Sequence, residues 1–309
     1  MRCHFYKNRA ACLLILLLCL GISTAEPLAL GTAAYQDDFL EAAEEEQHLE
    51  VHFIDVEQGD SIYIKFPNGK TMLVDAGDRN AGKKVVQYLK KQGVTAIDQV
   101  VSTHPDIDHI GGFLEVFTKM HVTRLLDSGK THTTNTYAEY LKLIALHQIP
   151  FKVAEEGQKL QLDPDVEVKV LHVDREAEEN NPASIVLKVS YGEIDVLLTS
   201  DTDEKNEKKL IKRYDLRSEI LKVAHHGSAT SNSQAFVDAV NPEAAVFSYD
   251  QANDYGHPVN KVVARLYHIG TALYSTAESG DIVVSIDKEG YEIKADPYDP
   301  GFDPGPKQE

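Results

Sequence analysis

Four ligand-type side chains fall within six residues at His104, Asp106, Asp108 and His109, just ahead of the pair Gly111 and Gly112. Solvation of a turn needs no such density, and capping the following helix would occupy one carboxylate only. In an irregular turn at a strand end, His104 and Asp106 can converge on one point while Asp108 and His109 reach a neighbouring one. That spacing suits two cations about 3.5 to 4 Å apart. The two glycines would let the next helix start close against such a centre.

Three further segments place similar residues after apolar runs. Leu197, Leu198 and Thr199 lead to Asp201, which taken alone reads more readily as a helix N-cap than as a ligand. Leu221, Val223 and Ala224 lead to His225 and His226. Adjacent side chains on extended backbone point opposite ways, so at most one of this pair is expected to touch a cation directly. The other could donate a hydrogen bond or shuttle a proton. His257, in the turn Asp254, Tyr255, Gly256, His257 and Pro258, reads by itself as a loop residue.

The elements needed to position these residues are strands that end at one edge. Alternating apolar patterns predict strands at 51–55, 61–66 and 71–75, a helix at 82–92, and a strand at 99–102 running straight into His104. A helix after Gly112, a strand at 124–126 and a helix at 136–147 follow. Strands at 166–172 and 184–189 lead into a hairpin with 195–199. The last third alternates helices at 203–213, 234–240 and 259–269 with strands at 220–224 and 244–248. Strands at 272–275, 281–287 and 291–294 close the pattern. Hairpins mixed with strand-helix units predict an α/β (α+β) architecture of two mixed sheets packed together with helices outside.

The first residues follow a different logic. Arg2, Lys7 and Arg9 precede an apolar run from 10 to 22, and Ser23, Thr24 and Ala25 supply small residues for cleavage. This order predicts a signal peptide over 1–25, with an apolar run short for a membrane span. An acidic linker over 26–48, a hydrolase domain over 49–295 and a disordered tail over 296–309 complete the expected organisation. Cys3, Cys12 and Cys19 all lie in the leader, so the mature chain would hold no disulfide, cysteine nucleophile or thiolate metal site. Losing the leader removes three basic and no acidic residues, taking the formal net charge from −18 to −21. Such acidity suits solubility and disfavours a processive, sequence-independent nucleic-acid binder.

Taken in order, the motifs His-x-Asp-x-Asp-His-x-Gly-Gly at 104–112, Leu-Leu-Thr-x-Asp at 197–201, His-His-Gly-Ser at 225–228 and Tyr-Gly-His-Pro at 255–258 carry a resemblance. Together with the stretches 53–61 and 73–77, they resemble the metallo-β-lactamase-like domain of ComEC-type competence (DNA-uptake) proteins across roughly 49–294. The resemblance implies a four-layer αββα sandwich with two divalent metal ions at one edge. It implies that His104 and Asp106 hold one metal, Asp108 and His109 the other, and that Asp201 bridges them. His225 would complete a metal site, with His226 and His257 lining the substrate pocket and assisting catalysis beside Asp108. Asp75 would stand behind a ligand histidine and orient it.

This chain departs from that pattern at three places. Glu57 and Ser200 stand where the family has glycine, and a third ligand histidine expected ahead of Asp201 is replaced by the run Asn180, Asn181, Pro182, Ala183 and Ser184. An Asn or Ser oxygen, or water, would fill that position. The oxygen-rich ligand set admits manganese or magnesium as well as zinc. The expected activity is a secreted metal-dependent phosphodiesterase or nuclease with DNA or another phosphodiester as substrate. A phosphocholine-type esterase and a lactone or β-lactam hydrolase are the enzymatic alternatives, and a secreted binding protein of the same fold is the non-catalytic one. Asp106 and the absent histidine argue against β-lactam hydrolysis.

Overall fold

The computed structural model describes residues 4–6 and 48–301. Most of the expected leader and acidic linker, and residues 302–309 of the expected tail, therefore lie outside the described residues.

Alternation of apolar side chains divides each central strand between two environments. Met72 and Val74 face one way into a core shared with Val168, Val170, Leu187, Val196, Leu198, Ile220 and Val246. Leu73 faces the other way, onto Val85, Leu89, Phe113, Phe117 and Tyr140 from the helices Gly82–Lys91, Phe113–Lys119 and Asn135–Leu146. In the second sheet Leu197, Leu221, Ala245 and Leu273 turn outward onto Leu210, Phe236, Val262 and Leu266. These belong to the helices Glu204–Arg213, Gln234–Val240 and Asn260–His268. Helices, sheet, sheet and helices thus form the αββα sandwich, with the largest apolar core between the sheets.

Among the described residues one sheet runs His4–Tyr6, Gly290–Ile293, Ile282–Ile286, Leu49–Phe53, Ile62–Lys65, Thr71–Val74, Gln99–Ser102, Leu125–Asp127 and Phe151–Val153. The other runs Lys159–Leu160, Val166–His172, Val186–Tyr191, Ile194–Leu198, Ile220–Lys222, Ala244–Phe247 and Ala272–Ser275. Hairpins supply most of the antiparallel portions, and Ile282–Ile286 returns from the end of the chain to pair antiparallel with Leu49–Phe53. Parallel pairing joins Thr71–Val74 to Gln99–Ser102 in the first sheet, and joins Ile194–Leu198, Ile220–Lys222 and Ala244–Phe247 in the second. Loops at the carboxyl ends of parallel strands are where α/β sheets gather ligands. Each strand of that set leads into one of the segments singled out above.

Among the boundaries that differ from the sequence pattern, two have plain local reasons. The strand expected at 184–189 starts at Val186, because Asn181–Ala183 form a short 3-10 turn with proline inside it. The chain beyond 296 does not leave the domain at once: Tyr298 N–H donates to Leu273 O at 2.7 Å, and the ring packs on the outer helical core. Among the described residues no helix is long and apolar enough to cross a membrane.

Glu57 adopts φ 63°, a left-handed conformation that disfavours any residue with a Cβ, and its side chain is exposed. Glu57→Gly is therefore expected to stabilise the domain by about 1 kcal/mol, raising its melting temperature by about 2–4 °C. Scanning calorimetry checks this, and a lower melting temperature would contradict it.

Candidate metal centre

Strand Gln99–Ser102 delivers Thr103 and His104 fully buried at the sheet edge, and the chain then turns through Asp106 into the short helix Ile107–Ile110. Asp106 holds the N-cap position of that helix yet makes no capping bond. Its Oδ1 instead accepts from Asn180 Nδ2 at 2.6 Å, leaving Oδ2 3.5 Å from His104 Nε2. The turn closes tightly because residue 112 is glycine. A Cβ there would stand 1.9 Å from Ala76 O, and Gly112 N–H donates to Gly77 O.

Asp201 follows strand Ile194–Leu198 and is likewise free of capping. Asp203 caps helix Glu204–Arg213 by accepting from Asn206 N–H, which leaves Asp201 buried with Oδ1 unpaired. Asp201 Oδ2 lies 3.4 Å from His109 Nε2, 3.7 Å from both His225 Nε2 and His226 Nε2, and 3.9 Å from His104 Nε2. Asp108 Oδ2 lies 3.4 Å from His226 Nε2 and 3.9 Å from His109 Nε2. These are too long for good hydrogen bonds. They match two ligand atoms sharing one cation, because bonds of about 2.1 Å at a tetrahedral angle put the two atoms about 3.4 Å apart.

His104 Nε2, His109 Nε2 and His226 Nε2 are buried and have no hydrogen-bond partner. Buried polar atoms are nearly always paired, so three orphaned nitrogens aimed at shared carboxylates fit a cation site. Two groupings meet that geometry: His104, His109 and Asp201, and Asp108, His109 and His226. The opposite ring nitrogens are already committed. His109 Nδ1 donates to Asp75 Oδ2 at 2.8 Å, and His226 Nδ1 donates to Ser248 O at 2.8 Å. His104 Nδ1 meets the hydroxyls of Thr103, Ser184 and Ser200 at 3.2–3.3 Å. Such partners fix the tautomer that presents Nε2 as a ligand. Asp75, expected behind a ligand histidine, stands behind His109 and also accepts from Thr103 N and Oγ1.

Both adjacent histidines bring Nε2 to 3.7 Å from Asp201 Oδ2, but their surroundings differ from those expected. His226, expected to line the pocket, is buried and turns Nε2 onto Asp108 and Asp201. His225, expected as the ligand, stands at the rim with its side chain 21 % exposed, Nε2 3.2 Å from Asn181 Nδ2 and Nδ1 3.2 Å from Thr230 Oγ1. The cause is local backbone: both residues take left-handed φ, 51° and 54°, so the extended-strand alternation does not apply. Ser184, one of the oxygens expected to replace the missing histidine, is turned to the back of His104 and accepts from Asp201 N–H. Asn180, another member of the same run 180–184, steadies Asp106 through its Nδ2, and Thr103, which links Asp75 to His104, is a site residue to which the motifs gave no role.

Burial disfavours charge throughout the centre, but mutual pairing outweighs it. Asp108 and Asp201 hold His109 well above the ordinary imidazole value, and Asp201 and Asp108 also raise His226. Reciprocally, His109 and His226 hold Asp201 and Asp108 below the usual carboxylate range. His257 goes the other way. Burial, reinforced by His225 and His226, lowers it to about 4. Its ring lies against His225 at 5.4 Å between centroids, so it reaches the rim of the centre as a neutral imidazole at ordinary pH. Of the neutral and protonated forms in which a pocket histidine could donate, His257 is therefore held in the neutral one.

A cavity of about 470 Å³ opens beside Asp201 and His225, bounded by Asn181, Asp203, Lys205 and Thr230. A larger one of about 610 Å³ near Glu278 and Tyr298 contains none of the converging histidines and gives no comparable chemistry.

The family model described as Metallo-beta-lactamase superfamily matches residues 54–251. Competence protein ComA of Neisseria gonorrhoeae is 33% identical over 286 residues, covering 91% of this chain and 38% of that protein. ComE operon protein 3 of Bacillus subtilis (strain 168) is 27% identical over 253 residues, covering 75% of this chain and 32% of that protein. The chain thus spans about a third of the length of these curated relatives. Among solved structures, the metallo-beta-lactamase fold protein YhfI from Bacillus subtilis superposes with a TM-score of 0.54 at 11% identity, covering 77% of this chain and 100% of that one. At that identity the likeness concerns the fold alone.

Proposed function

The chain belongs to the metallo-beta-lactamase superfamily, and from that premise we propose that it is an exported dinuclear metal-dependent phosphodiesterase acting on DNA or another phosphodiester. The observation that carries this reading is the convergence of three unpaired buried histidine nitrogens on Asp108 and Asp201 at a cavity mouth. His104, Asp106 and Asp201 would hold one divalent cation, and Asp108, His109, His226 and Asp201 the other. Three carboxylates in that set favour hard or borderline cations, manganese and zinc, over a thiolate-type site.

The chemistry such a pair supplies when bound is Lewis-acid polarisation of a phosphoryl oxygen and a nucleophile drawn from water at neutral pH. The chain's own residues do the rest. Asp75, Ser248 O and the hydroxyls around His104 keep the imidazoles presenting Nε2. His257, neutral above about pH 5 given its value of about 4, can donate a ring N–H to a phosphoryl oxygen. Asn181 and Thr230 flank His225 at the cavity and can orient the ester.

The competence relatives support DNA as the substrate class. The acidic surface gives a long duplex no electrostatic track, so short or single-stranded phosphodiesters are the better substrates in this reading. Turnover of bis-p-nitrophenyl phosphate, single-stranded DNA, plasmid and a chromogenic β-lactam by manganese- and zinc-loaded protein tests it. Phosphodiesters are expected to turn over and the β-lactam not, with Asp108→Ala at least about a hundredfold slower. Equal activity in Asp108→Ala would end the proposal.

A further inference from the structure

Strand Ile220–Lys222 carries a lysine where its neighbours predict an aliphatic residue. Ile220 faces the core between the sheets and Leu221 faces the helices, so Lys222 projects between the sheets. Its ladder partners Leu198 and Val246 both belong to that apolar core. The lysine is nevertheless fully buried. Its Nζ meets Asp60 Oδ1 at 2.8 Å and donates to Val223 O at 3.0 Å.

Asp60 lies on the opposite sheet, in the loop between Leu49–Phe53 and Ile62–Lys65, and is 2 % exposed. Its backbone is fastened to the metal-binding turn: Asp60 N–H donates to Asp108 O at 3.2 Å, and Asp60 O accepts from Gly77 N–H at 2.8 Å. The contact is close enough that a Cβ on Gly59 would stand 2.2 Å from Asp108 O. The Asp60 carboxylate also lies 3.6 Å from His226 Nδ1, the nitrogen whose proton goes to Ser248 O.

A buried lysine–carboxylate pair is a poor way to gain stability, since removing two charges from water offsets most of their attraction. What it supplies here is geometry. Asp108 and His109 come from one sheet, His226 and Asp201 from the other, and the ion pair joins the same two sheets beside His226 and the backbone of Asp108. We propose that Asp60 and Lys222 are a positioning pair that holds the two halves of the metal centre in register and backs the His226 ring. This rests on the metal-centre reading above, and is tested by cation affinity, which needs no turnover.

The test compares the parent chain with the double variant Asp60→Val with Lys222→Met, which replaces the pair by apolar residues. Circular dichroism and melting temperature report folding, manganese and zinc affinities come from chelator competition, and kcat and KM are read on bis-p-nitrophenyl phosphate. The double variant is expected to fold with a melting temperature close to the parent's. Its cation affinity should fall about 10- to 100-fold, as for other groups that orient metal ligands, and kcat should fall with KM little changed. Parent-like affinity in the folded double variant overturns the proposal. Should it not fold, Asp60→Asn is read the same way, and failure of both to fold assigns the pair to the scaffold alone and also overturns it. A parent that binds two cations but cleaves no phosphodiester ends the proposed activity and leaves this inference standing. A parent that binds none ends both.

Discussion

Asp201→Asn is expected to lower phosphodiester turnover by about a thousandfold and to leave the protein with fewer than two tightly held cations. Asp201 Oδ2 lies within 4 Å of four ring nitrogens, those of His104, His109, His225 and His226. Among the described residues its side chain is the one that appears beside His104 from one side and His226 from the other, so it is the natural bridge. Asparagine keeps the shape, halves the oxygens and removes the charge. A loss of several kcal/mol of transition-state stabilisation corresponds to about three decades in rate. Elemental analysis beside steady-state kinetics checks both parts. A variant that keeps a full complement of cations and the parent kcat would remove Asp201 from the centre.

That residue also shows what sequence could and could not deliver. The strand ends were legible because each is a short apolar run that stops at polar residues, as in 99–102 before His104 and 194–198 before Asp201. The αββα layering was legible from hairpins mixed with strand-helix units. The choice between capping and ligation at Asp201 was not, because it depends on Asp203 taking the cap two residues later. The order within His225 and His226 rested on the resemblance and not on the residues. Alternation, which allowed only one of the pair at the cation, assumes extended backbone, and both residues sit at positive φ, which no local pattern announces in a non-glycine residue. Ser184 and Asn180 were ambiguous as ligands because their side chains bond across 17 and 74 residues of sequence, to Asp201 and Asp106. Lys222 did leave a signal, a charge inside an apolar strand, and Asp60 lay in a stretch already singled out. Their pairing across the two sheets is a tertiary fact.

The cation-free chain is expected to be most stable near pH 6.5 and to lose stability as the pH rises above it. His109 and His226 have folded values raised above the ordinary 6.5, despite burial, by Asp201 and Asp108. A proton bound more tightly in the folded state stabilises it; that contribution is complete below the unfolded value and is lost as pH climbs through the raised one. Asp108 and Asp201 have folded values depressed below 3.8, so their contribution is present above that value and lost only in strong acid. His225 and His257 are lowered, chiefly by burial, and therefore weaken the fold as pH falls below 6.5. The two histidine sets act on opposite sides of 6.5, which places the maximum there. Cations reverse the alkaline limb, because a ligand nitrogen must first give up its proton. Binding near pH 7 should therefore release about two protons, from His109 and His226, and affinity should rise with pH. Calorimetric melting temperatures from pH 5 to 9, with chelator and with manganese, follow the first effect. Titration calorimetry in buffers of different ionisation enthalpy counts the protons. A cation-free melting temperature that climbs between pH 6.5 and 8, or binding with no proton release, would show that the histidines are neutral before any cation arrives.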